Sequence, residues 1–150
     1  MIDKGSLLDI LDQADTVLLA TVSGSAPRMR AMVNLRRKDL FPGPSACARD
    51  AGFDVYFCTS AASGKIRELR ANPAAAAYFA LPHLGRGVML SGVAEILESP
   101  DLKRALWDDS WRRYWPDGPS DSDCVVVRLA AETATGWSGT ETFHLDLRSL

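Results

Sequence analysis

The chain has 150 residues, which is enough for one ordinary domain and too few for two. Apolar residues make up 47% of it and charged residues 24%, a globular composition that excludes a disordered chain. Lys and Arg number 17 against 19 Asp and Glu, and this near balance argues against a nucleic acid as the main partner.

Cysteine content and hydropathy indicate the compartment. The three cysteines, Cys47, Cys58 and Cys124, form neither an even disulfide set nor the close spacing of a metal site. No apolar segment is long enough to cross a bilayer, and the acidic N-terminal segment is unlike a signal peptide. We therefore expect a cytoplasmic protein with no membrane span and no metal site.

Hydrophobic periodicity divides the chain into many strands and few helices. Helical spacing of apolar residues predicts a helix over 3–14, and alternation over 28–36 after a β-branched run at 16–22 predicts an antiparallel hairpin. The polar segment 37–52 is expected to be an irregular insertion. The remaining elements are expected as strands at 53–59, 74–80, 87–97, 124–137 and 142–147, and as helices at 61–71 and 101–114.

This order of elements predicts the fold class. About six strands joined mostly by turns favour a mainly-β antiparallel barrel over an alternating α/β sheet. We expect one domain over residues 1–150.

The first candidate site lies where a strand passes into a helix. The strand ends at Thr59 and Ser60, and Ser63 and Lys65 stand at the start of the helix. Free backbone N–H groups at a helix start favour an anion, and a hydroxyl and a lysine add donors and charge. The alternative is an ordinary helix cap beside a solvated lysine. A P-loop is excluded, because its first glycine and its final Ser or Thr are both missing.

The second candidate site is one face of the strand predicted over 28–36. Arg30, Met32 and Asn34 alternate along it and offer charge, soft apolar contact and hydrogen bonds to a flat polar ligand. The alternative is the wet face of a sheet with one solvated side.

Seven short motifs follow one another between residues 16 and 139. They are LLATV (18–22), RAMVN (30–34), YFCTS with SGK (56–60 and 63–65), RANP (70–73), LSG (90–92), WPDGP (115–119) and WSG (137–139). In this order they resemble the FMN-binding split-barrel family related to pyridoxamine 5′-phosphate oxidase, in particular its general stress protein branch. The resemblance implies a six-stranded antiparallel split β-barrel of Greek-key type that forms a homodimer, with two FMN sites at the subunit interface.

The resemblance also implies which residues contact the cofactor. Arg30, Ser63 and Lys65 match the family's ligands of the FMN phosphate. The remaining matched positions lie near the isoalloxazine ring and are Met32, Val33, Asn34, Phe57, Cys58, Thr59 and Trp137.

Two departures from the family pattern bear on function. Gly64 stands where the family's phosphate-binding Ser-Arg-Lys motif has its arginine, which removes one positive charge. Leu35 stands where the true oxidases have a lysine for the substrate phosphate, and the segment 142–146 lacks their Arg-x-His motif. FMN is therefore the expected cofactor, whereas oxidation of pyridoxamine phosphate is not expected.

Three tryptophans recur every four residues, at Trp107, Trp111 and Trp115. Such a stripe is expected to be core or dimer contact. The functional alternative places Trp115 over the edge of the flavin, where it restricts access to the ring.

These observations predict a homodimeric FMN-dependent oxidoreductase for an unidentified small substrate. No residue stands out as a catalytic acid or base, which suits a protein that leaves the chemistry to its cofactor. Two alternatives stay open: a non-enzymatic flavin-binding module for storage or sensing, and the same barrel with a deazaflavin or haem.

Overall fold

A computed structural model describes residues 2–150, and within them it contains seven strands and four α-helices. The strands are β1 (Thr16–Ser23), β2 (Ala26–Val33), β3 (Val55–Ser60), β4 (Ala74–Leu81), β5 (Arg86–Leu97), β6 (Cys124–Ser138) and β7 (Glu141–Asp146). The helices are α1 (Lys4–Gln13), α2 (Pro44–Asp50), α3 (Gly64–Ala71) and α4 (Pro100–Ala105). Short 3-10 turns lie at Pro82–Leu84, Asp109–Arg113, Gly118–Ser120 and Leu147–Ser149.

All neighbouring strands are antiparallel, in the order β2-β1-β4-β5-β6-β3, and β7 pairs with β6. The first half of β6 pairs with β3 and its second half with β7, so β6 serves two parts of the sheet. The β5–β6 register shifts between Ser91 and Gly92, where a Cβ on Gly92 would lie 1.9 Å from the carbonyl oxygen of Ala130. The expected mainly-β antiparallel architecture is confirmed, with β7 as a seventh strand.

The core fills the inner faces of the strands. Its largest side chains include Leu19, Phe57, Phe79 and Leu90, all essentially inaccessible to water. Helix α1 packs its own apolar side, Leu7, Ile10 and Leu11, into the same cluster. Burial of each such side chain contributes about 1.5–3 kcal/mol, so α1 is held mainly by packing.

Strand β2 ends at Val33, three residues before the predicted end at 36. The side chain of Asn34 turns towards the end of α1, where its Nδ2 donates to the carbonyl oxygens of Leu11 (2.7 Å) and Ala14 (2.9 Å). Its Oδ1 accepts from the backbone N–H of Arg36 at 3.1 Å. The prediction that Asn34 shares a ligand-binding strand face with Arg30 and Met32 is therefore wrong, because Asn34 lies beyond the end of β2 and is buried against α1.

The prediction of an irregular segment over 37–52 is also wrong, because α2 lies within it. Pro44 is at the start of α2, a position that suits its fixed φ. The buried guanidinium of Arg36 donates to the carbonyl oxygens of Ala48 (3.1 Å) and Gly52 (2.8 Å) and pairs with Asp12 at 2.7 Å. These contacts between distant parts of the chain hold α2 in place.

The helix predicted over 101–114 is interrupted. Helix α4 ends at Ala105, and Asp108 accepts from the N–H of Ser110 to start a separate 3-10 turn. The indoles of Trp107, Trp111 and Trp115 nevertheless pack together, with ring centroids 5.9–6.3 Å apart. They belong to a second hydrophobic cluster, as the core interpretation of the stripe expects.

Asn34→Ala should lower the free energy of unfolding by about 2–3 kcal/mol, because buried carbonyls of α1 lose their donor. Asn72→Ala is the matched control. Asn72 is exposed and accepts one local hydrogen bond from Ala74, so its loss should be below about 1 kcal/mol. Urea unfolding of both variants measures the difference, and equal losses would contradict the anchoring role of Asn34.

Candidate functional site

Strands β2 and β3 lie at the two ends of the sheet order. Side chains of α3 form hydrogen bonds with residues of both strands. From β2, Arg30 donates to Glu68 of α3 at 2.8 Å and to the hydroxyl of Thr21 at 2.7 Å. From α3, the ammonium of Lys65 donates to the hydroxyl of Thr59 on β3 at 2.8 Å. The helix that follows β3 therefore carries both a carboxylate and a lysine into one cluster with Arg30.

The charges in this cluster perturb one another. Burial lowers the pKa of Lys65, and the positive charge of Arg30 lowers it further. The pKa of Glu68 is lowered mainly by the hydroxyl of Thr21 and also by the hydrogen bond from Arg30. An anion placed between Arg30 and Lys65 would relieve the repulsion between these two cations.

Ser63 carries an unpaired hydroxyl next to the start of α3. It precedes the first residue of α3, but its side chain makes no hydrogen bond to the helix. Its Oγ is buried and has no hydrogen-bond partner among residues 2–150. Buried polar atoms are normally paired. With the free N–H groups at the start of α3 and the two neighbouring cations, the unpaired hydroxyl fits a phosphate group.

A cavity of about 220 Å³ opens next to this cluster. Two walls come from β2 and β3, and aromatic side chains near the 3-10 turn at Asp109–Arg113 form the third. The lining residues are Ala31, Met32, Val33, Cys58, Trp111, Tyr114 and Trp115. Four of them were predicted to lie near the flavin ring. The volume is below the roughly 300–1,000 Å³ of a complete small-molecule site, as expected if one chain supplies only part of it.

Asp123 connects the aromatic wall to the loop before α3. Its carboxylate accepts from the hydroxyl of Ser60 (2.6 Å) and from Nε1 of Trp115 (3.3 Å), and more weakly from the N–H of Ala62 (3.4 Å). The Ser60 hydroxyl is the main reason that the pKa of Asp123 is lowered. Sequence reasoning missed Asp123, because only the pairing of β3 with β6 brings it to Ser60.

Four predicted ring residues have side chains outside the cavity, and three of them belong to or adjoin β2 and β3. Phe57 alternates with the cavity residue Cys58 on β3 and is buried in the core. Thr59 holds Lys65, and Asn34 is bonded to α1. All three are neighbours of cavity-lining or cluster residues in the chain, but their side chains serve other contacts.

Trp137 does not join the cavity or the cation cluster within one chain. It lies near the end of β6, and its Nε1 donates to the hydroxyl of Tyr78 on β4 at 3.1 Å. Gly87 makes this contact possible, because a Cβ there would lie 2.5 Å from the Tyr78 hydroxyl and 2.8 Å from Nε1 of Trp137.

Two of the cysteines, Cys58 and Cys124, are neighbours, and Cys58 lines the cavity. A hydrogen bond between the thiols raises the pKa of Cys58, which burial raises further, and lowers the pKa of Cys124. Within residues 2–150, no group of three or more His, Cys, Asp or Glu side chains is arranged to hold a metal ion. In the same range, no helix is both long and apolar enough to span a membrane.

Comparisons with known proteins define the class. The sequence profile of the pyridoxamine 5′-phosphate oxidase family matches residues 4–138. The chain therefore belongs to the pyridoxamine 5′-phosphate oxidase family, whose FMN-binding split barrel the sequence motifs resemble. A search of curated proteins found no match.

Solved structures confirm the split barrel. A protein related to general stress protein 26 from Clostridium acetobutylicum has 22% identity and a TM-score of 0.76, covering 99% of each chain. General stress protein 26 of Bacillus anthracis has the same identity and score, covering 96% of this chain and 98% of that one. An FMN binding protein from Nostoc punctiforme, related to pyridoxamine 5′-phosphate oxidase, has 15% identity and a TM-score of 0.66, covering 93% and 87%.

Asp123→Asn should destabilise the protein at neutral pH and progressively less in acid. Because folding lowers the pKa of Asp123, its stabilisation is present above about pH 4 and disappears as the pH falls through the folded-state pKa. The gap in free energy of unfolding between wild type and variant should therefore shrink on acidification.

Asp117→Asn is the control, since the carboxylate of Asp117 makes no hydrogen bond or ion pair within residues 2–150. Urea unfolding at a series of pH values measures both gaps. If the difference in free energy of unfolding between wild type and Asp123→Asn does not change with pH, the carboxylate charge is not what holds Ser60 and Trp115.

Proposed function

We propose that the protein is a homodimeric FMN-binding oxidoreductase acting on a small substrate. The observation that carries the proposal is the adjacency of a phosphate-like subsite and an aromatic cavity along both end strands. Arg30 and Met32 are two residues apart on β2, a separation of about 7 Å. Thr59 and Cys58 are neighbours on β3. A phosphate joined to a flat ring system matches this arrangement.

Each part of the site has a function in this proposal. Arg30, Lys65 and the unpaired hydroxyl of Ser63 would hold the FMN phosphate. Met32, Val33, Cys58 and Trp115 would contact the isoalloxazine ring and exclude water from it. FMN, when bound, supplies the redox chemistry.

The described residues offer little acid–base chemistry of their own. Cys58 and Tyr114 are the only titratable side chains on the cavity wall, and the raised pKa of Cys58 keeps its thiol neutral at physiological pH. Leu35 is buried in the second hydrophobic cluster, so its position offers no charge to a substrate phosphate. We therefore do not propose pyridoxamine 5′-phosphate as the substrate.

The outer face of the sheet supports the homodimer. An apolar groove of about 270 Å³ lies on it, lined by Leu18, Ala20, Met29, Ala76, Tyr78 and Met89. Met29 is 67% exposed, an unusual state for a large apolar side chain beside other apolar residues. A partner surface covering this groove would return these side chains to an apolar environment.

A second copy is the partner that also completes the site. Met29, Ala31 and Val33 alternate on β2 and share its outer face, and the last two line the aromatic cavity. A copy docked on this face would therefore also cover the cavity. Trp137 is bonded to Tyr78 of the same groove, so docking would carry the tryptophan of each chain towards its partner.

Purified protein should show flavin absorbance bands or acquire them when FMN is added. Lys65→Ala should weaken FMN about tenfold or more and leave riboflavin nearly unchanged, because only FMN carries the phosphate that the lysine contacts. Titration followed by absorbance and flavin fluorescence measures both affinities. Equal weakening of the two flavins would contradict the role of Lys65.

The same experiment separates the alternatives. Protein that ignores FMN but binds a deazaflavin or haem, recognised by its own absorbance bands, would contradict the choice of cofactor. Bound FMN that neither NADH, NADPH nor an artificial reductant bleaches would favour a storage or sensing module over an oxidoreductase.

Met29→Lys should convert the dimer to monomers and weaken FMN binding, because the interface would have to bury a charge. Leu40→Lys is the control, since Leu40 is similarly exposed but lies outside the groove. Sedimentation velocity measures the oligomeric state of both variants. A Met29→Lys protein that stays dimeric would exclude this face as the interface.

A further inference from the structure

The cation cluster has less net positive charge than its two basic residues suggest. The carboxylate of Glu68 lies 2.8 Å from the guanidinium of Arg30 and offsets one of the two cations. Together with Lys65, this leaves a net charge of about +1 for a phosphate monoester that carries roughly −1.5 to −2. Gly64 adds no positive charge, although the phosphate-binding Ser-Arg-Lys motif of the family has an arginine at this position. A third cation would balance the ligand.

Arg67 lies next to the space that Gly64 leaves open. One helical turn separates the two residues, so they are on the same side of α3. A Cβ placed on Gly64 would have Nη2 of Arg67 as its nearest neighbour, at a distance of 3.5 Å. Its guanidinium therefore lies beside the place where a side chain at position 64 would begin.

Arg67 is also available for a ligand. It is exposed, and no hydrogen bond or ion pair joins its guanidinium to another residue of the range 2–150. By contrast, Arg30 is bonded to Glu68 and Lys65 to Thr59. The backbone of Gly64 has no left-handed φ that would require glycine. The absence of a side chain thus opens the start of α3 to Arg67.

Resting on the proposed function, we propose that Arg67 is the third cation of the phosphate subsite and replaces the charge lost at Gly64. The guanidinium would approach the phosphate from the side of α3 opposite to Lys65. Arg28 is the rival for this role, because it is exposed on β2 and its charge also acts on Glu68.

The test compares FMN with riboflavin, which lacks the phosphate, in titrations of the flavin-free full chain. Arg67→Gln should weaken FMN about tenfold while riboflavin changes little, and added salt should reduce this difference. Arg70→Gln, an exposed arginine of the same helix, and Arg28→Gln should leave the FMN-to-riboflavin ratio near that of the wild type. Adding Gly64→Arg to Arg67→Gln should restore the FMN preference.

The possible outcomes separate this inference from the proposed function. If the wild type binds neither flavin, both are overturned. If it prefers FMN but Arg67→Gln leaves that preference intact, or only Arg28→Gln reduces it, the role of Arg67 is overturned and the flavin site stands. If the double variant does not regain the preference although circular dichroism shows it folded, the charge-replacement argument fails.

Discussion

The structure depends on how the two ends of one sheet are held near each other without pairing. Strands β2 and β3 do not share backbone hydrogen bonds, and unpaired edges need other cover. Helix α3 connects them through side chains, with Glu68 bonded to Arg30 of β2 and Lys65 bonded to Thr59 of β3. Because the connection is polar and charged, the gap between the strands can take an anionic ligand.

In the proposed function, the outer face of the sheet makes this gap one half of a site that a second copy completes. Side chains alternate along β2, so Arg30 points to the charged cluster while Ala31 and Val33 line the cavity and continue into the apolar groove. Any partner that covers the groove changes the cavity as well. We therefore propose that flavin binding and dimerisation are one coupled equilibrium, in which Trp137 of each chain contributes to the site of its partner.

Local patterns predicted the strands to within a few residues and singled out Arg30 and Lys65, which the structure brings into one charged cluster, because each lies in a short motif at a strand or at a helix start. What they could not predict depends on partners distant in sequence. Asn34 continues the alternation of β2 but bonds to α1, and Asp123 reaches the site only through the β3–β6 pairing. Helix α2 was missed for the same reason, whereas the break after α4 follows from a local hydrogen bond, the one that Asp108 accepts from Ser110.

Subunit complementation tests the shared site most directly. Lys65→Ala removes a phosphate ligand and Trp137→Ala removes the residue assigned to the partner's site, so each variant alone should bind FMN weakly. When the two are mixed and allowed to exchange subunits, each mixed dimer has one intact site, and tight FMN binding should return at about a quarter of the sites. Mixed dimers that form, as shown by mass-tagged chains, yet recover no tight binding would contradict the account.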